Sequence, residues 1–228
     1  MTEIWHGLLK AIELIISLDP EVMEIAGRSL RISLTSTILA SLYCIPFGSL
    51  ISFNSFPGKR ILINIIQTFY SIPTVVVGLL VFVLFSQAGP LGVLNLLFTP
   101  TVMIVGQMIL ITPILLGLTI SALSGVDSTI LDTARSLGAS GFQTATVAFR
   151  EVRFAVMAAV VMGFGRAISE VCIALMVGMN IRGSTRVITT AISLETGKGN
   201  IELSIALGII LILIALVINI VLNRIQQR

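Results

Sequence analysis

Apolar residues in this chain gather into five long runs, set apart by short polar or proline–glycine stretches. A bilayer core takes about 20 apolar residues of helix. On that measure, spans are predicted near 29–53, 62–86, 100–123, 154–179 and 201–222. Phe56-Pro57-Gly58 closes the first run, and Gly89-Pro90 and Thr99-Pro100 punctuate the connection after the second. Pro46, Pro73 and Pro113 fall inside spans, where freed carbonyls need partners from neighbouring helices, hydroxyls or water. Pro73 and Pro113 point to bent helices beside a cavity, although kinks tolerated in a bundle fit them equally. Ahead of the first span, Ile4, Trp5, Leu8, Leu9, Ile12, Ile15 and Ile16 recur at helical spacing, so residues 1–18 read as an amphipathic helix lying in the membrane interface. Asp19, Pro20 and Glu21 then supply an N-cap, a first helical position and a first-turn acid for the next helix. The expected fold is all-α: a polytopic membrane bundle of about five transmembrane helices over residues 19–228, plus the N-terminal interfacial helix.

Composition agrees. The 228 residues are 56% hydrophobic and 11% charged, against roughly 25% charged in soluble domains. No charged residue stands between Arg60 and Asp127, a gap that holds two spans and a short turn. Cys44 and Cys172 lie in apolar runs and His6 is the single histidine, which excludes a disulfide framework and a metal site. A formal charge of +3 is too small to imply nucleic acid. Glu3, Lys10 and Glu13 interrupt the first apolar stretch, so no signal peptide is expected. The positive-inside rule is nearly silent, with seven cations on one set of loops and six on the other. There is no G-x-x-x-x-G-K-[ST]; Gly197-Lys198-Gly199 lacks both the upstream glycine and the hydroxyl. No cofactor is therefore expected on this chain, and ATP, if used, is bound by a partner.

The connection at 124–153 is polar and charged between apolar neighbours. Asp127 can cap a helix starting at Ser128, with Ile130, Leu131, Ala134 and Leu137 on one face. Gly138 stands where a left-handed residue ends that helix, and Ser140-Gly141-Phe142-Gln143 matches a capping box opening the next. Helix, sharp turn, helix is the expected structure. Within it, Asp132-Thr133-Ala134, three residues, then Gly138-Ala139-Ser140 resembles the "EAA…G" loop of ABC-importer permeases. Asp132 replaces Glu, Thr133 replaces the first Ala, and Arg150-Glu151 stand where that family has Leu-Pro. Ser71 to Gly78 is similar to the "PPVVVG" segment of molybdate, tungstate and sulfate permeases, and Gly165 to Glu170 to their "R-x-x-x-E" helix. Asn180 to Arg186 and Leu194 to Gly199 look most like tungstate-type permeases.

The resemblance implies a type I importer permease: a homodimer in a prokaryotic inner membrane, N-terminus outside and C-terminus cytoplasmic. Two cytoplasmic ATPase subunits would sit on the loops at 124–153, and an extracytoplasmic oxyanion-binding protein would deliver tungstate or molybdate. Arg166 and Glu170 are the only ionisable residues inside the fourth span, four apart and so on one face. A lone charge there costs about 2.5–3.5 kcal/mol on insertion scales. They can serve an anion pathway with Pro73, Thr74 and Ser169, or simply pair across the bundle. Ser71, Thr189 and Thr190 are further hydroxyl candidates for that lining. Ala155, Ala159, Gly163 and Ala167 recur every fourth residue, a small-residue ridge for close helix packing. Arg182, Arg186 and Lys198, on the predicted outer loop, can dock the binding protein. The alternative is an ion-coupled secondary transporter with Arg166 and Glu170 as a relay, which predicts gradient-driven transport by this chain alone.

Overall fold

The computed structural model describes residues 2–226; Met1, Gln227 and Arg228, at the ends of the two predicted segments, lie outside that range. The described residues form α-helices α1 (Thr2–Ile16), α2 (Pro20–Phe53), α3 (Lys59–Thr68), α4 (Thr74–Phe85), α5 (Pro100–Ser124), α6 (Ser128–Ser136), α7 (Gly141–Glu151), α8 (Arg153–Ile168), α9 (Cys172–Gly178), α10 (Ile188–Gly197) and α11 (Ile201–Gln226), with no strand among them. Three helices, α2, α5 and α11, are long and apolar enough to cross a membrane, and two bent pairs bring the number to five. The all-α bundle of about five crossings is what the periodicity predicts.

Two of the predicted spans are not single helices. The span at 62–86 is α3, a 3-10 turn at Phe69–Ser71 and α4, turning through 98°. Pro73 is the cause: it has no N–H to give back to Phe69, and Ile72 before it is extended at φ −60°, ψ 129°. The span at 154–179 is α8 and α9, bent by 55° across Ser169–Val171. By contrast α5 runs unbroken through Pro113, and α2 through Pro46. α2 also starts at Pro20, nine residues before the predicted span, where the Asp19 carboxylate accepts from Val22 N–H at 3.0 Å.

α2 and α5 form the longest contact in the bundle. They run side by side because α2 buries small residues at every turn: Ser29, Ser33, Ser36, Ala40, Cys44 and Gly48. Backbones can then approach closely, and dispersion over that surface holds helices together where lipid removes any hydrophobic drive. α8 fills the angle between them; Ala167 packs with Ala40, Cys44, Ile111 and Leu115. Gly163 lies against Leu115, and Ala159 is buried too, so the predicted ridge meets α2 and α5 of its own chain. Ala155, the first member of that ridge, is exposed and stands outside the contact. On the other side, α4, α5 and α9 meet through glycines: a Cβ on Gly106 would lie 2.5 Å from Ile173 Cγ2, and one on Gly78 would lie 2.9 Å from Met176 Sδ.

The ends of the bundle add two features. α1 carries its predicted apolar stripe outward, with Ile4 and Trp5 more than 60% exposed. Its small face does not turn to water, however: Ala11 and Leu14 are buried and Gly7 sits against Ile205, so α1 is docked along α11. The predicted outer loop contains α10, packed on α11 and α2 with Ile188, Thr189, Thr190 and Ala191 buried. Its amphipathic pattern is too short and too uniformly apolar to separate from loop in the sequence. Gly106→Ala should destabilise the protein by about 1–3 kcal/mol through overpacking against Ile173. Gly27→Ala, where nothing lies within 4 Å, should be neutral or stabilising by up to about 1 kcal/mol. Thermal unfolding of the detergent-purified variants, compared side by side, checks both.

Candidate functional site

The first element of the site is the helix–turn–helix at 127–151. Asp127 accepts from Thr129 N–H at 2.8 Å, and that bond holds its carboxyl below the usual carboxylate range. α6 ends in a Schellman turn: Ala139 N–H bonds Ala134 C=O at 3.0 Å and Gly138 N–H bonds Arg135 C=O at 2.9 Å. That geometry needs the left-handed Gly138, at φ +84°, with open space where a side chain would be. Ser140 and Gln143 complete the capping box expected of them, at 2.8 and 3.3 Å. The elbow is thus stiff on both sides of its turn. α6 buries no residue, and Leu137 and Phe142, on either side of the bend, are each 84% exposed. Thr133, Ala134 and Leu137 border a groove between α6 and α7. Asp132 and Arg135 pair at 3.3 Å but both lie open to solvent, so the pair contributes little.

The second element is the bend between α8 and α9. Glu170 is 2% exposed. One carboxylate oxygen accepts from Arg166 Nη1 at 3.1 Å and the other from Ile173 N–H at 3.0 Å, in the first turn of α9. The carboxylate therefore ties the end of α8 to the start of α9 and neutralises the positive end of the second helix. Arg166 stays one-third exposed, with the rest of its guanidinium uncommitted. Ser169 is exposed, its hydroxyl donating to Arg166 C=O at 3.2 Å.

The third element is the start of α4, where Pro73 is exposed and Thr74 half-buried. Gly78 on α4 touches Ile173 and Met176 on α9. α9 runs opposite to α5, since Gly106 meets Ile173 whereas Gly178 meets Met103, and so does α4, since Val81 meets Gly106 whereas Phe85 borders one pocket with Phe98 just before α5. Thr74 stands four residues before Gly78, and Ser169 four before Ile173, so each lies at the break of its own span. Ser71 is also exposed. Thr189 and Thr190 do not join them: both are buried, Thr189 donating to Glu170 C=O at 2.8 Å and Thr190 to Asn180 Oδ1 at 2.9 Å. Sequence reasoning missed Gln107, the one amide in the third span, which reaches the same bend.

The cations of the predicted outer loop are paired. Arg182 and Arg186 reach the Glu21 carboxylate at 2.5 and 3.3 Å, and Arg28 donates to Arg186 C=O at 2.8 Å. They bolt the start of α2 to the segment before α10. Lys198 bonds Glu195 at 2.7 Å, with Asn200 on the other carboxylate oxygen. Those two donors pull the Glu195 carboxyl below its ordinary value.

Five apolar crossings, two of them broken, and an exposed stiff elbow fit a multi-pass membrane permease. Residues 44–228 match the family described as binding-protein-dependent transport system inner membrane component, and the chain belongs to that family. It is 40% identical over 209 residues to a tungstate uptake system permease protein of Peptoclostridium acidaminophilum, with 92% of each chain covered. A tungstate uptake system permease protein of Campylobacter jejuni is 37% identical over 206 residues, covering 90% of this chain and 86% of that one. Among solved structures, the MetNI methionine ABC transporter in an inward-facing conformation matches with a TM-score of 0.69 at 15% identity, covering 92% of this chain and 97% of the matched one, which speaks for the fold alone.

Glu170→Ala should cost about 3 kcal/mol, because it strands Arg166 and the Ile173 N–H in a low-dielectric bend; Glu170→Gln, which keeps an acceptor, should cost clearly less. Thermal unfolding in detergent measures both. Glu195 has a folded pKa below its unfolded value, so its contribution is complete at neutral pH and disappears as pH falls through the lowered folded value. Glu195→Gln should flatten that acid-side loss, read as the thermal midpoint against pH.

Proposed function

We propose that this chain is the permease subunit of an ATP-driven importer for a tetrahedral oxyanion, tungstate foremost and molybdate next. The observation that carries the reading is end-to-end similarity to tungstate uptake permeases, 92% of both chains at 40% identity. In this reading two copies form the pathway. Their N-termini face outward and their C-termini the cytoplasm. Two ATPase subunits grip the elbow through Asp132, Thr133, Ala134, Gly138, Ala139 and Ser140, with Leu137 and Phe142 entering an apolar groove. Exposed apolar side chains beside a rigid turn suit a partner surface better than water. A binding protein delivers the anion on the outer side, against the exposed edge of the Arg182, Arg186 and Lys198 cluster.

Pro73, Thr74, Arg166 and Ser169 form the passage at the two breaks. A tetrahedral dianion takes donors without fixed negative charge. Arg166 offers the free part of its guanidinium, and the N-terminus of α4 offers unpaired N–H groups with the positive end of its dipole. Glu170 holds Arg166 in place and limits its net charge, so that an anion passes without being trapped. The Arg166–Glu170 pair supports a structural clamp as well as this role, and the clamp supplies the position the anion needs.

The test is uptake into liposomes holding this chain, its ATPase and, outside, the tungstate-loaded binding protein. ATP-dependent accumulation is expected; gradient-driven uptake by this chain without ATP would overturn the reading in favour of a secondary transporter. In the same system Gly138→Val, which forces about 1–2 kcal/mol of left-handed strain on a β-branched residue, should leave the complex assembled and hydrolysing ATP but largely unable to import. Unchanged uptake would remove the elbow from the coupling path.

A further inference from the structure

The bend between α8 and α9 leaves backbone groups without helical partners, in a setting where water cannot supply them. Ala167 C=O would ordinarily accept from Val171 N–H, but Val171 caps α9. Ala167 C=O instead meets turn-type donors, Ser169 N–H and, at 3.2 Å, Glu170 N–H. Gln107 on α5, 4% exposed, fills the gap: its Nε2 donates to Ala167 C=O at 3.1 Å. Its Oε1 accepts from Ser36 on α2 at 2.8 Å. The amide cannot be turned round, because its oxygen would then face the Ala167 oxygen, whereas the Ser36 hydroxyl suits either orientation. One side chain therefore links three helices at the point where α8 stops.

Apolar packing would make the same contact at less cost, since an amide in a span must find every partner inside the protein. What packing lacks is direction. A hydrogen bond to Ala167 C=O fixes the rotation of the last turn of α8, one residue from Arg166. We propose that Gln107 is a positioning residue for transport: by standing in for the missing helical donor at Ala167, it holds the α8–α9 bend and sets where Arg166 stands in the passage. Thr189, donating to Glu170 C=O, secures the far side of the same bend. Gln107 touches neither the elbow nor the predicted lining, so a passive packing role and a positioning role give different results.

This inference rests on the importer reading, and the same liposome system tests it with wild type as reference. Uptake is expressed per assembled complex, against the concentration of tungstate-loaded binding protein and with ATP hydrolysis measured in parallel. Gln107→Leu keeps the bulk and removes both bonds. Expected is a loss of roughly tenfold in maximal uptake, the equivalent of one buried hydrogen bond, with ATP hydrolysis persisting and half-saturation by binding protein little changed. Gln107→Glu should import while its buried acid is protonated and can donate to Ala167, and fail as pH rises. If Gln107→Leu lowers the yield or thermal midpoint but leaves uptake per complex and ATP used per ion as in wild type, the residue merely packs and the proposal is wrong. If Gln107→Leu does not assemble, a flat pH profile for Gln107→Glu at wild-type uptake overturns it equally. Absence of ATP-driven uptake by wild type would instead sink the importer reading itself.

Discussion

A backbone group inside a bilayer has to be satisfied by the protein, since no water is there to do it. Unbroken helices meet most of that demand internally, and three of the five crossings are unbroken. The other two are broken, and a break needs its freed backbone groups satisfied by other parts of the protein. At the α8–α9 bend, side chains answer three backbone groups: Ala167 C=O, Glu170 C=O and Ile173 N–H. Gln107, Thr189 and the Glu170 carboxylate take one each. Arg166 then balances the carboxylate. The charged pair exists because the bend exists, and most of what is distinctive in this bundle follows from keeping that bend.

This ordering explains how a charge can be held midway across a membrane. Arg166 would be costly alone. Beside a fully buried Glu170 that is itself fixed at both oxygens, it keeps one-third of its surface open. The Arg-before-Glu order is the weaker one for an isolated helix, but helix stability is not what the pair serves here. The carboxylate reaches past the end of its own helix into the first turn of the next, a geometry the reverse order would not provide.

The sequence made the number of crossings legible because hydrophobic length is a strong signal. The elbow was legible almost residue by residue, since Asp127, Gly138, Ser140 and Gln143 each have one local job and perform it with near neighbours. Pro73 announced a bend, and a 98° turn lies there. The bend at Ser169–Val171 had no such herald: no proline or glycine lies in it, and Gln107, which bonds its Ala167 edge, is 60 residues upstream in the chain. For the same reason the outer cations looked free. Glu21 is 161 residues from Arg182, and no local pattern pairs them. α10 was read as loop, and Thr189 and Thr190 as lining, because tertiary burial decided both.

Chain order adds one mechanical consequence. α5 runs into α6 through three residues, and α7 into α8 through Val152 alone. The elbow is therefore inserted between the two helices that Gln107 joins. A push on a floppy loop would dissipate in loop motion, but this elbow is locked by a Schellman turn and a capping box, so displacement reaches α5 and α8 together. Near the elbow the two are bridged by rigid structure; at mid-membrane they are pinned by the amide on Ala167 and by Gly163 against Leu115. A pair fixed at both ends moves as one body. The compliant point is then the break at Phe69–Pro73, where no continuous helix resists rotation, whereas the break at Ser169–Val171 is held by Gln107, Thr189 and Glu170. On the importer reading, that is the point that closing ATPase subunits would open and shut.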